Sequence, residues 1–203
     1  MKIAVIGASG NVGARIVAEL AHRGHSITAI VRSPEKIAPQ PHVTAKPGDV
    51  ADQGSLTQLL AGHDAAISSV RFLDTDPVKL IAAAGNSKVG RYLVVGGAGS
   101  LEVAPGVRLM TTPGFPVAYK AEAERGAAFL DLLAQEKQLN WTFLSPSALF
   151  TAGQRTGKFR LGNDQLLTAA DGKSWISYED FAVALADEIE RPAHIRQRFT
   201  VGY

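Results

Sequence analysis

Apolar positions along the chain switch repeatedly between two spacings, and the switching predicts the fold. Lys2 to Ile6 carries Ile3, Val5 and Ile6, a short β-branched run suited to a fully buried strand. From Val12 the period lengthens to that of a helix, with Val12, Ile16, Val17 and Leu20 on one face. Further strands follow at Ser26–Val31, Val43–Lys46, Asp64–Val70, Arg91–Val95 and Trp141–Leu144. Between them helical patterns run over Ser55–Ala61, Lys79–Ala84 and Val117–Gln138, the last with Ala121, Ala128, Leu132 and Leu133 on its apolar side. Near the end, Ser177 with Glu179 and Asp180 marks the start of a helix over Tyr178–Glu190, and Arg198–Val201 reads as a final strand. Strands alternating with helices predict an α/β doubly wound parallel sheet. No linker, repeat or low-complexity stretch interrupts the pattern, so residues 1–203 read as one domain, with 147–203 covering the sheet's carboxyl edge.

The junction between the first strand and the first helix holds the strongest chemical signal. It reads Gly7, Ala8, Ser9, Gly10, Asn11, Val12, Gly13. In a strand–turn–helix context Gly7 permits a tight turn, Gly10 lets a phosphate approach the backbone, and Gly13 lets the helix pack on the sheet. The unpaired amides of the helix's first turn and its dipole then face a pyrophosphate. An ordinary βα turn is the alternative. At the tip of the second strand stand Arg32 and Ser33, where an NAD-preferring protein of this architecture carries an acid. A guanidinium there suits a 2′-phosphate, with Ser33 a second donor; the other reading is a solvated arginine. The end of the fourth strand, Ser68 to Arg71 with Ser68 and Ser69 leading it, lies beside the expected middle of the cofactor. Gly96 and Gly97 follow the fifth, where they suit close approach of a ligand or a plain turn. Residues 101–116, rich in proline and glycine, form a connection long enough to read as a lid or a substrate-facing wall.

Composition narrows the classes that remain. With 46% apolar and 20% charged residues over 203, the chain describes a soluble globular protein. A net charge of +2, without a basic block, gives nucleic acid binding no support. There are no cysteines, which excludes disulfides, thiolate metal sites and a cysteine nucleophile. The five histidines show no metal-ligand spacing, and His22 and His25 read as a solvated helix end. No stretch is apolar enough to span a membrane and no signal-peptide pattern is present, so a cytoplasmic location is the default expectation.

The glycine turn, Arg32, Gly48-Asp49-Val50, VVGGAG at 94–99, WTFLSPS at 141–147 and ISYEDFA at 176–182 together resemble an atypical short-chain dehydrogenase/reductase. The likeness is to the NmrA-like, NAD(P)-binding branch that includes the biliverdin reductase B (flavin reductase) type, and it covers essentially the whole chain. It implies a Rossmann sheet of order 3-2-1-4-5-6 extended by a C-terminal strand, with NADPH across the switch point. It also implies that Asp49 and Val50 border the adenine, although Asp49 or Asp52 can equally cap the next helix. By the same resemblance Ser145, Pro146 and Ser147 line the nicotinamide. One departure stands out, because reductases of this superfamily often use a Tyr-x-x-x-Lys pair. Here Tyr119 and Lys120 are adjacent, so their side chains diverge by about 100° on a helix and cannot cooperate in that way. Each remains a weak catalytic candidate. The resulting expectation is an NADPH-dependent oxidoreductase, monomeric or homodimeric, passing hydride to a small acceptor such as a flavin or quinone. The alternative is a non-catalytic NADP(H)-binding sensor.

Overall fold

Because Lys2–Ile6 is apolar on both faces after Lys2, it can form the middle of a sheet, and it does. The computed structural model describes residues 1–203. In chain order the elements are β1 (Lys2–Ile6), α1 (Asn11–His22), β2 (Ser26–Val31), β3 (Val43–Pro47), α2 (Gln53–Leu60), β4 (Ala65–Ser68), α3 (Pro77–Ser87) and β5 (Arg91–Val95). Then come β6 (Glu102–Ala104), β7 (Val107–Arg108), α4 (Val117–Gln135), β8 (Trp141–Pro146), β9 (Leu149–Thr151), β10 (Arg160–Gly162), β11 (Trp175–Ser177), α5 (Tyr178–Glu190) and β12 (Gln197–Gly202).

The main sheet runs β10-β12-β8-β5-β4-β1-β2-β3. Six of its strands keep the order expected from the resemblance, with β12 added in parallel beside β8. The short antiparallel strand β10 closes that edge and was not foreseen. Successive residues of β1 serve opposite faces, as strand geometry requires. Ile3 and Val5 join a core with Ile16, Val17 and Leu20 of α1 and Phe181 and Leu185 of α5. Ala4 and Ile6 join the other core, with Leu56 and Leu60 of α2, Leu80 of α3 and Phe129 and Leu133 of α4. The sheet is therefore covered on both faces, and its crossovers leave the carboxyl ends of the parallel strands free to bind a ligand.

Several expectations need correction. The long helix stops at Gln135 rather than Gln138, because the Glu136 carboxylate turns back to accept from the amides of Gln138 (2.6 Å) and Leu139 (3.2 Å). Its inward face holds Gly126, Ala127, Phe129 and Leu133, while Ala121 and Ala128 are exposed. The helix turns this face inward because Gly126 admits the Phe72 ring, which a Cβ there would meet at 2.9 Å. His25 is buried rather than solvated, since its Nε2 lies 2.9 Å from Glu190 and its Nδ1 faces the N-terminal amine at 3.3 Å. Residues 101–116 are not an open loop, for β6 and β7 pair within them as an antiparallel ribbon.

Candidate cofactor groove and acceptor cavity

All the parallel strands release their chains toward one edge, and there the predicted residues meet. Gly7, Ser9, Gly10, Arg32, Asp49, Val50 and Ser69 line one groove of about 280 Å³. Gly7 has φ +78°, and a Cβ on it would stand 2.2 Å from the Ser69 carbonyl oxygen. Only glycine meets both demands. A Cβ on Gly13 would in turn lie 2.2 Å from the Gly7 oxygen, so α1 packs against the turn itself. Gly10 differs from both, because a Cβ there would meet only the Gly7 oxygen at 3.3 Å.

The first turn of α1 is correspondingly bare. No side chain caps it and no acid stands in it, so the amides of Asn11, Val12 and Gly13 have no acceptor within the chain. These donors, the helix dipole and the open face at Gly10 fit the diphosphate of a dinucleotide. Arg32 is exposed at the groove's far end and forms no ion pair within the chain. Arg71, at the end of the Ser68–Arg71 stretch expected beside the cofactor's middle, joins it in the lining. Arg71 is held loosely by Asp74 at 3.8 Å. The two acids after β3 divide their work: Asp52 caps α2 by accepting from the Ser55 amide at 3.0 Å, whereas Asp49 accepts from the Ala51 amide at 2.9 Å while facing the groove. Ser33 stands outside that lining, and Ser68 is buried behind it.

Beyond the glycines that follow β5 the edge opens into a second cavity of about 690 Å³. Gly96 to Ser100 contribute to its lining, and Phe72, Leu109, Phe115, Pro116, Leu149 and Leu166 supply its apolar walls. The wall from residues 101–116 is braced: Leu109 and Met110 donate to the carbonyls of Leu101 (2.8 Å) and Gly99 (3.0 Å). Glu102 exchanges backbone bonds of 2.8 Å with Asp164 and Leu166. Arg198 of β12 ties the glycine loop to the same segment, reaching Ser100 Oγ at 3.1 Å and Asp164 Oδ1 at 2.6 Å.

Tyr119 lines this cavity at its mouth and is 66% exposed, while Lys120 is exposed and absent from the lining. No tyrosine–lysine pair forms. Ser145, Pro146 and Ser147 are buried, with the Ser147 hydroxyl donating to the Val201 carbonyl at 3.0 Å. The side chains after β8 that face the cavity are Ala148 and Leu149 instead. Glu122 of α4 is a further lining residue without a sequence signal, as is Leu109. Their roles depend on which face of their elements turns inward.

The segment after β8 is also fastened to α1. Glu179 accepts from Arg15 (3.1 Å) and from the Gly153 amide (2.8 Å), and Arg155 reaches Glu19 at 2.7 Å. The hydrogen bond from Arg155 holds the Glu19 carboxyl below its ordinary range, against the opposing effect of burial. A separate concavity of about 620 Å³ between α3 and α4 is lined by Gly90 and Asn140. Those residues precede β5 and β8, so it lies at the amino edge, away from both sites. No cluster of three His, Cys, Asp or Glu side chains is arranged to hold a metal ion, and no helix is long and apolar enough to cross a membrane.

A sequence model of the NAD(P)H-binding family matches residues 7–192. The chain belongs to that family. As a member of the NAD(P)H-binding family it is similar over its whole length to several solved structures. A candidate exported protein of Burkholderia pseudomallei is 43% identical, with 100% of both chains covered and a TM-score of 0.91. A candidate epimerase of Bacteroides thetaiotaomicron is 40% identical, covering 100% of this chain and 96% of its own, with a TM-score of 0.95. A candidate NADH-flavin reductase of Streptococcus pneumoniae TIGR4 is 36% identical over 100% and 99% of the two chains, with a TM-score of 0.83. These relatives carry three different descriptions, so the likeness speaks for family and fold, while activity has to be argued from the site.

Proposed function

We propose that this member of the NAD(P)H-binding family is an NADPH-dependent reductase that passes hydride to a small organic acceptor such as a flavin or quinone. The observation that carries the reading is the adjacency, on one sheet edge, of a diphosphate-binding groove and a walled, largely apolar cavity. A flat face would have favoured a regulatory surface, whereas a concave, partly open space with apolar walls favours a small bound substrate. The flavin reductase description of the Streptococcus relative is in keeping with this.

In this reading the amides of Asn11 to Gly13 hold the diphosphate, Arg32 and Arg71 face the 2′-phosphate, and Asp49 and Val50 border the adenine. The bound cofactor supplies the hydride, which leaves positioning and exclusion of water to the protein. Phe72, Leu109, Phe115 and Pro116 keep water from the reacting face. The proton that completes reduction of the acceptor comes from solvent at the mouth, where Tyr119 offers a phenol. Flavins and quinones tolerate this arrangement, because their reduction does not require a strong buried acid. The absence of a Tyr-x-x-x-Lys pair is then no obstacle.

The test is oxidation of NADPH, followed by its absorbance, with FMN, FAD and simple quinones as acceptors. Turnover with at least one is expected. Tight NADPH binding without turnover of any would replace this reading with a cofactor-sensing one.

A further inference from the structure

We infer that the acceptor cavity selects an uncharged ring and excludes acceptors that carry an anion on the reacting ring. The inference rests on the reductase reading and narrows its substrate class. Among the residues lining the cavity, Glu122 alone bears a formal charge at neutral pH; the rest are apolar residues, glycines and neutral hydroxyls, with Tyr119 the one phenol.

The Glu122 carboxylate is fixed in place. Its Oε1 accepts from the Phe72 amide at 2.7 Å and its Oε2 from the Leu73 amide at 3.0 Å. One helical turn later Gly126 receives the Phe72 ring, so the segment bearing those amides is itself clamped to α4. Turning Glu122 away would strand two amides, which costs more than the bonds themselves are worth. No cation stands in the lining, and those around it are engaged or solvated: Arg108 pairs with Asp131 at 3.5 Å and Arg71 with Asp74 at 3.8 Å. Arg198 is committed to Asp164 and Ser100. Arg160 keeps its charge while donating to the carbonyls of Thr168 and Tyr203, but it is exposed and solvent screens it. Lys173 is 74% exposed and pairs with Asp171 at 3.1 Å. Lys120 is exposed and outside the lining.

An anion entering this space would shed its hydration, meet no positive partner and stand near a fixed carboxylate. Both effects act against it, and the apolar walls lower the screening that would soften them. A neutral quinone loses little hydration on entry. A flavin mononucleotide is accommodated with its ring inside and its phosphate held outside the mouth.

The test uses the full chain saturated with 1,4,5,6-tetrahydro-NADP, whose nicotinamide ring is uncharged like that of NADPH but cannot pass hydride, and two probes of one ring system: 1,4-naphthoquinone and its 2-sulfonate. By titration the neutral probe should bind at least about tenfold more tightly, as expected for a fixed charge within about 12 Å at intermediate screening. Glu122→Gln keeps an oxygen for one backbone amide and should narrow that ratio at least threefold. Leu149→Lys, at a rim position 58% exposed, should narrow it too and serves if the first variant does not fold. A ratio that is the same in all three proteins, or a wild-type preference for the sulfonate, would overturn the inference. Binding preference without NADPH oxidation would keep the charge selection and remove the reductase reading. Oxidation without any charge preference would do the reverse.

Discussion

Replacing Arg32 by alanine should separate the two nicotinamide dinucleotides. Arg32 is exposed, has no ion pair within the chain, and lines the groove whose other end is the diphosphate turn. Its removal therefore leaves no buried partner behind, and the fold should be unaffected. A hydrogen bond between charged groups contributes about 1.5–3 kcal/mol, so the dissociation constant for NADPH should rise by roughly 10- to 150-fold. NADH has no 2′-phosphate and should change by less than about twofold. Arg71 faces the same groove but is 68% exposed and lies 3.8 Å from Asp74, so Arg71→Ala should cost NADPH less. Because both cations are near solvent, the preference should shrink as salt is raised from ~0.05 to ~0.5 M. Fluorescence titration of the reduced dinucleotides measures all of this directly. Equal weakening of NADPH and NADH, or no change in either, would refute a role for Arg32 at the 2′-phosphate.

Three further substitutions test the turn and the clamp. Gly10→Val brings a Cβ to a tight 3.3 Å from the Gly7 oxygen and should cost less stability than Gly13→Val, yet lose NADPH binding by more than about 100-fold; Gly13→Val meets the Gly7 oxygen at 2.2 Å and should lower the unfolding free energy by about 1–3 kcal/mol for an overpacked site. Retained affinity in the first, or unchanged stability in the second, would contradict the geometry. Glu19 has a folded pKa lowered from 4.5, chiefly by Arg155, so it contributes stability that is fully present above that value and lost as pH falls through the lowered one. Urea unfolding between pH 7 and pH 3 should show a shallower acid loss in Glu19→Gln than in the parent, and parallel curves would remove this account.

How much of this was legible beforehand follows from what each feature depends on. The order of β1 to β5 and the position of the cofactor groove rest on local rules. Most of the groove lining lies at or just after strand ends, and a parallel strand with a crossover helix delivers its carboxyl end to the same edge. Gly7, Gly10 and Arg32 could therefore be named from their places after strands, and Asp49 through the family resemblance. The Ser68–Arg71 stretch was placed at the cofactor for its small side chains, and the charge of Arg71 follows β4 as that of Arg32 follows β2. The inward face of α4 could not be read so easily. Its alanines offered as good an apolar stripe as the face that is buried, and the choice was made by Phe72, which lies far away in sequence and fits only over Gly126. His25 was misjudged for a similar reason. Nothing near it in sequence announces that Glu190 and the N-terminal amine will meet it.

The acceptor cavity lies at the non-local extreme, and this bears on how its selectivity can change. Its wall segments come from residues near 72, 96–127, 148–149 and 166–174, and two of them are joined through Arg198 on the last strand. The Arg198 side chain is only 9% exposed, and it bridges Ser100 of the glycine loop to Asp164. A change at Arg198 would thus loosen the cavity on two sides while touching none of the groove residues around α1. The converse holds for Gly10 and Arg32, which stand outside the cavity lining. On the proposed reading, dinucleotide recognition would rest on adjacent βα turns of the N-terminal half, and acceptor recognition on long-range bonds that the C-terminal strand completes. Substitutions can alter the second without disturbing the first, which gives a physical reason why relatives with one shared fold carry different descriptions of what they do.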